Sequence, residues 1–518
     1  MKVILSHKPS LTKNKAVLVS FFTPEKKPAH PYLKKLSQTD AAYIAKIMAH
    51  DFTTAQEKFR EVHLPSNPDQ LIVLANLGKT NEWNEKKYIL FARKLVTYLK
   101  DHRIKSSSVF LNDFKFNPLP IRRITQLFAE NVILADFTFN KYKEPPKEGW
   151  PEINEIEIIV PVPVSPSIKT GLEEGLIIGE ETNNCRILAN TPGGEMTPQK
   201  LAQAALEIGK KTGIKVDVFD EKKIKELGMG GILGVSKGSD EKPRFIVMKY
   251  DSGKPAPLGK KGLPNKVIQP IVFAGKGVTF DTGGLNLKPS EAIYEMHMDM
   301  SGGAAVIHAM AAIARMKLPV KIIGLIPAVE NMPSGSSYHP GDILKTITGK
   351  TIEVLNTDAE GRIILADTLG YAQKLNPKLI VDAATLTGAA TVALGQRAIA
   401  LFSSSGEQGR TTNEKLEKFA RDIGMNSGDY VWPLPLWDEY YDDVKGTFGD
   451  IANTGKKGQG GAIAGAIFLK QFVGNYPWMH LDIAPTMTTI EGQFLAKGAS
   501  GTGVRFLVEL AKNANKIP

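Results

Sequence analysis

The sequence predicts an α/β protein of two domains, a small N-terminal α/β domain followed by a larger C-terminal one with a central, largely parallel mixed sheet flanked by helices. Three observations carry this reading. At 518 residues the chain exceeds what one ordinary hydrophobic core holds. Apolar runs of strand length alternate with helical patterns along it. A turn-rich break, Lys143-Glu144-Pro145-Pro146-Lys147-Glu148-Gly149-Trp150-Pro151, can continue neither a helix nor a central strand.

Taken in order, Ala16 to Phe22 and Leu71 to Ala75 read as strands and Glu85 to Leu99 as a helix. Ile156 to Val162 reads as the last strand of the first domain, which therefore spans residues 1–165. Ser167 to Leu188 mixes polar and apolar residues without proline and predicts a connecting helix over residues 166–190. The larger domain occupies residues 191–518. Thr197-Pro198 opens a helix over Gln199 to Lys211, with proline at its first position. Pro270 to Ala274, Val320 to Ile326 and Leu379 to Ala384 read as buried strands, with helices over Gly303 to Met316 and Ile364 to Leu375. In such doubly wound sheets ligands collect at the carboxyl ends of strands.

Hydrophobic residues at 42% and charged residues at 23% describe a soluble globular protein. Only three apolar residues follow Lys2 before polar ones resume, so no signal peptide is read there. No stretch reaches the roughly 18 apolar residues of a membrane span. The single cysteine, Cys185, excludes an internal disulfide framework, and the expected location is the cytoplasm. Residues 1–150 carry 25 Lys and Arg against 14 Asp and Glu, which accounts for the whole excess of +11. That is either a solvated basic surface or an attraction to an acidic partner such as nucleic acid, and composition does not choose.

The densest chemistry lies in Asn356-Thr357-Asp358-Ala359-Glu360-Gly361-Arg362, just after the β-branched run Thr351 to Leu355. Read as a strand end, alternate residues point the same way, so Asp358, Glu360 and Arg362 face one pocket. Two anions beside a fixed cation are a metal site in outline. A second cluster, Gly275 to Lys288, combines glycines that permit tight backbone paths with Lys276, Asp281 and Lys288. A third, Glu295 to Met300, supplies Asp299 ahead of the small residues Ser301 to Ala305.

Taken singly, each of these has a plainer reading. An isolated Asp, Glu or Arg in a loop is usually a cap or a surface ion pair. His308, in an apolar helix, reads as a hydrogen-bonded core or interface histidine, as do His297 and His480, and Cys185 as a small buried side chain. Gly349-Lys350-Thr351 ends like a phosphate-binding loop, but Leu344 stands where that loop needs glycine. No Gly-x-Gly-x-x-Gly follows a strand, which removes the dinucleotide reading.

Together the clusters resemble the leucyl (cytosol) aminopeptidase family of di-metal exopeptidases, whose signature is this same heptad. The likeness continues through the Lys-x4-Asp-x6-Lys spacing of Lys276, Asp281 and Lys288, through Asp299, Asn331 to Gly335, Pro340-Gly341-Asp342, Asp382 to Gly388 and Pro477 to Ala484. It covers roughly residues 180–510.

The resemblance implies a metallopeptidase that releases N-terminal amino acids, leucine and others, from short peptides. Lys276, Asp281, Asp299 and Glu360 would hold one divalent ion and Asp281, Asp358 and Glu360 the other, with Asp281 and Glu360 bridging. Carboxylate bridges suit cations about 3.5–4 Å apart. Lys276 binds metal only when neutral, which a nearby dication favours. Zn or Mn is expected first, while Mg or Co also suits an oxygen-rich set without histidine. A water between the cations becomes the nucleophile, and Lys288 stabilises the oxyanion. Arg362 holds a bicarbonate ion as general base, and the main chain around Thr385, Leu386 and Gly388 lines the substrate cleft. A substrate needs a free amino terminus, because an internal peptide bond offers no amine to the metal.

The family also implies a homohexamer, a dimer of trimers. The basic N-terminal domain matches no nucleic-acid motif and is read as an assembly or regulatory module. The alternative reading is an active aminopeptidase that also binds DNA through it.

Overall fold

The computed structural model describes residues 1–9, 15–22, 30–54, 57–114, 119–253, 269–405 and 414–518. They form two compact units, Met1–Glu180 with Glu491–Ala496, and Glu181–Ile490 with Lys497–Pro518. Cys185 is buried, and no helix among the described residues is long and apolar enough to cross a membrane.

The first unit is a six-stranded sheet in the order Lys2–Ser6, Glu155–Ile159, Ser106–Phe110, Lys15–Phe21, Asn67–Asn76, Lys58–Leu64. Only the last pair is antiparallel. Lys15–Phe21 is buried at every position because a central parallel strand is covered on both faces, which is why Ala16, Val17, Leu18 and Val19 follow one another without a polar break. The helices Glu85–Asp101 and Ile121–Asp136 join one core and the helix Gln38–Asp51 another. Glu155–Ile159 stops earlier than its apolar run suggests, since Pro161 and Pro163 have no N–H to give a ladder. A helix then runs from Pro166 to Asn190.

The second unit holds a nine-stranded mixed sheet whose middle runs Trp478–Asp482, Leu379–Ala384, Ile271–Gly275, Lys321–Asn331, all parallel, with Gly277–Asp281 also parallel to Lys321–Asn331. Antiparallel strands, Ile399–Ser404 and Arg244–Asp251, flank this middle. Helices cover both faces. Ile364, Leu365 and Leu369 of the helix Glu360–Gln373 pack with Val272, Ala274 and Ile380. Alternate residues of the same strands turn to the other face, towards the largely apolar helix Ser301–Arg315.

The heptad departs from the strand-end expectation. Its β-branched run forms only the short strand Thr351–Glu353, which belongs to a separate three-stranded sheet with Ile343–Lys345 and Ile451–Ala452. The chain then turns, and Glu360 is already the first residue of a helix. Side-chain hydrogen bonds select the turn: Asn356 Oδ1 accepts from Asp358 N at 2.8 Å, and Thr357 Oγ1 donates to the Gly283 carbonyl at 2.6 Å. Gly349 sits in the hairpin between two of the short strands, its N–H on the Thr346 carbonyl and its φ at 89°, a turn and not a phosphate cradle.

Candidate active site

Three chain segments meet at the carboxyl ends of the central strands. Lys276 directly follows Ile271–Gly275. Its N–H donates to the Ala383 carbonyl at 3.0 Å and its own carbonyl accepts from Gly303 N at 2.7 Å, so the neighbouring strand and a helix start fix its backbone. Its Nζ donates to the Thr385 carbonyl at 2.9 Å and stands 2.8 Å from both Asp299 Oδ2 and Glu360 Oε1. Asp281 ends the next strand, where its Oδ1 accepts from Gly283 N and Asn331 Nδ2, each at 2.8 Å. Lys288 Nζ lies 2.8 Å from Asp281 Oδ2 and pairs also with Asp358 Oδ1. Asp299 Oδ1 accepts from Thr385 Oγ1 at 2.7 Å.

This donor set fits divalent cations. Oxygens of Asp281, Asp358 and Glu360 all lie within 4.8 Å of one another. Asp299 Oδ2, Asp358 Oδ1 and Glu360 Oε1 are buried, and their close neighbours among the described residues are the ammonium groups of Lys276 and Lys288. Burial pushes the carboxyls of Asp281, Asp299 and Asp358 above the usual range, and at Asp281 and Asp299 the neighbouring Glu360 adds to the shift. Their charged forms thus want more positive charge than two lysines supply. Burial alone would lower the Lys276 pKa, but Asp299, Glu360 and Asp281 outweigh it and hold it raised. A cation bound by this amine therefore has to displace a proton.

Lys288 and Asp358 also line an open cavity of about 580 Å³, together with Arg362, Leu386 and Gly388. Arg362 is buried, donates from Nη1 to the Asn453 carbonyl at 2.9 Å and leaves its Nε without a partner. Burial pulls its pKa down to about 10 against the opposing charges of Glu360 and Asp482. Thr385 does not line this cavity; it turns its hydroxyl and carbonyl to Asp299 and Lys276.

Three further residues hold the site, and the stretches of likeness that contain them assigned them no role. Asn331 Nδ2 donates to Asp281 and, at 3.0 Å, to the Thr357 carbonyl, joining the loop of one cluster to that of another. Thr357 exchanges bonds with Asn286, its N–H donating to Asn286 Oδ1 and its hydroxyl accepting from Asn286 N, each at 2.8 Å. Asp482, fully buried, takes Leu386 N at 3.1 Å and Thr387 Oγ1 at 2.7 Å, which anchors the cavity wall. The available signal was position: Asn331 and Asp482 are polar residues closing apolar parallel strands. The histidines stay outside. His308 Nδ1 lies 2.8 Å from Glu181 Oε2, and His480 Nδ1 2.6 Å from Asp382 Oδ1.

Among curated relatives, the probable cytosol aminopeptidase of Chlorobaculum tepidum is 41% identical over 452 residues, 85% of this chain and 86% of its own. That of Geobacter sp. (strain M21) is 38% identical over 463 residues, 89% of each. Among solved structures, the bottromycin maturation enzyme BotP in complex with Mn superposes with a TM-score of 0.80 at 27% identity, covering 97% of this chain and 100% of that one. The cytosol aminopeptidase family's N-terminal domain matches residues 17–146 and its catalytic domain residues 183–508: the chain belongs to this family of aminopeptidases.

Proposed function

We propose that the chain is a two-metal aminopeptidase acting on short peptides with unblocked amino termini. The observation that carries this is the buried cluster in which four carboxylates share two ammonium groups beside an open cavity. Lys276, Asp281, Asp299 and Glu360 would hold one ion and Asp281, Asp358 and Glu360 the other. Zn or Mn is the first expectation, and Mg or Co suits the same donors. When bound, such a pair supplies a water of lowered pKa and a Lewis acid for the scissile carbonyl.

The remaining work falls to the chain. Lys288, an ammonium held between Asp281 and Asp358 at the cavity surface, donates hydrogen bonds to the oxyanion as the carbonyl becomes tetrahedral. Arg362, with its free Nε, is suited to an anion, and a bicarbonate there would serve as general base. Leu386 and Gly388 form the wall along which the substrate backbone lies. Thr385 steadies Asp299 and Lys276 from behind, a supporting task in place of substrate contact. A free α-amine is required because it completes the binding of the substrate at the acid cluster.

An activity screen over amino-acid amides, with defined metals added back after chelation, tests reaction, specificity and cofactor together. Equal cleavage of acetylated and free peptides, or fewer than two tightly bound divalent ions per active chain, would refute the reading. Assembly as a homohexamer and a cytoplasmic location belong to the same proposal, and a monomer mass by light scattering counts against the first. The excess of +11 in residues 1–150 is what favours a second role in binding DNA. A gel shift against salt decides it, and no shift at low salt eliminates it.

A further inference from the structure

We propose that Lys457 binds the C-terminal carboxylate of the substrate, so that the enzyme selects small peptides with both ends free. This rests on the aminopeptidase reading above and adds the recognition of the peptide's other end. Lys457 lines the same cavity as Lys288 and Arg362. The other cations there have roles of their own: Lys288 pairs with Asp281 and Asp358, Lys456 with Asp443 Oδ1 at 2.7 Å, and Arg362 is the cation assigned above to a bicarbonate. Lys457 is exposed and has no carboxylate partner among the described residues. Asp358 is the one carboxylate lining the cavity among the described residues, and Lys288 already holds it. Lys457 is therefore a lining cation without a counter-charge among them.

The backbone presents this lysine in a defined place. Gln459 N–H donates to the Lys456 carbonyl at 3.2 Å and Gly458 has φ 76°, the arrangement of a type II turn with Lys457 at its second position. The turn is tied down at its start by the Lys456–Asp443 pair and by Gly455, where a Cβ would stand 2.8 Å from the Ala464 Cβ of the following helix. A short peptide carries one positive end and one negative end. The acid cluster receives the first, and Lys457, in the lining of the same cavity, is the uncompensated charge of the right sign for the second.

The test uses the metal-loaded enzyme and Leu-Gly, Leu-Gly-Gly and Leu-Gly-Gly-Gly, each as free acid and as C-terminal carboxamide. At the length that spans the cavity the acid is favoured in kcat/KM by about fivefold, mainly through KM, and added salt erodes the preference. The K457M ratio of acid to amide approaches one, K457E inverts it, and K457R keeps it. A ratio unchanged between the wild type and K457M, or one near one in the wild type at every length, overturns the proposal. Cleavage of none of the six substrates by the wild type would instead sink the aminopeptidase reading beneath it.

Discussion

Gly361 lies flat against the Lys276 side chain: a Cβ at Gly361 would stand 2.6 Å from Lys276 Cε and 2.7 Å from its Nζ. Glycine is needed here for close approach, since the position is helical and makes no demand on φ. Alanine would favour the helix by about 1 kcal/mol yet press the amine away from Asp299 and Glu360. G361A is therefore expected to keep its Tm within a few degrees while kcat/KM falls at least about tenfold and bound metal declines. Full activity in a folded G361A would show that Lys276 need not sit where it does.

For K288A the expected result is a fall in kcat of about 100-fold or more, with metal retained. The ammonium lies against Asp281 and Asp358, so its loss frees negative charge for cations and does not expel them. Metal analysis beside kinetics checks this; loss of metal together with activity would make Lys288 part of the metal site itself.

Chelation is expected to abolish activity and leave the fold in place. Without metal, Lys276 and Lys288 still partner the carboxylates, and the sheet beneath them packs a large apolar core. The chelated protein should melt cooperatively with near-UV circular dichroism intact, and adding back Zn or Mn should restore turnover. Global unfolding on chelation would mean the cluster depends on the ions for its shape.

Acid sensitivity should trace in part to Glu181, which joins His308 Nδ1 at 2.8 Å and Arg315 Nη1 at 2.6 Å. Burial alone would raise its carboxyl, but these two partners outweigh burial and hold it below the ordinary range. The unfolded chain thus takes up the proton more readily. The stabilisation is complete above the ordinary glutamate pKa of about 4.3 and is lost as pH falls through the lower folded value. Urea midpoints between pH 3 and 6 should fall less steeply in E181Q than in the wild type.

The fold class was legible because buried parallel strands such as Ile271–Gly275 are continuous apolar runs, and helix starts such as Thr197-Pro198 carry their own caps. The spacing from Lys276 to Lys288 was legible as a charged, glycine-rich loop after a strand. The heptad misled at the level of local geometry. Alternation assumes a strand, whereas local hydrogen bonds of Asn356 and Thr357 impose a turn, and it is the turn and the helix start that present Asp358 and Arg362 to one cavity. The contacts of Asn331, Thr357 and Asp482 were out of reach for another reason. Their partners lie tens of residues away, and no local pattern encodes a contact that only the assembled sheet creates.

The bonds from Asn331 to Asp281 and Thr357 tie the site to the pairing of separate strands. No continuous stretch of the chain holds the whole constellation, and Asn331 reaches Asp281 only once Gly277–Asp281 has paired with the end of Lys321–Asn331. A nascent or half-refolded chain is thus catalytically silent, and recovery of turnover after dilution from denaturant is a clock for central-sheet assembly, trailing the appearance of helix.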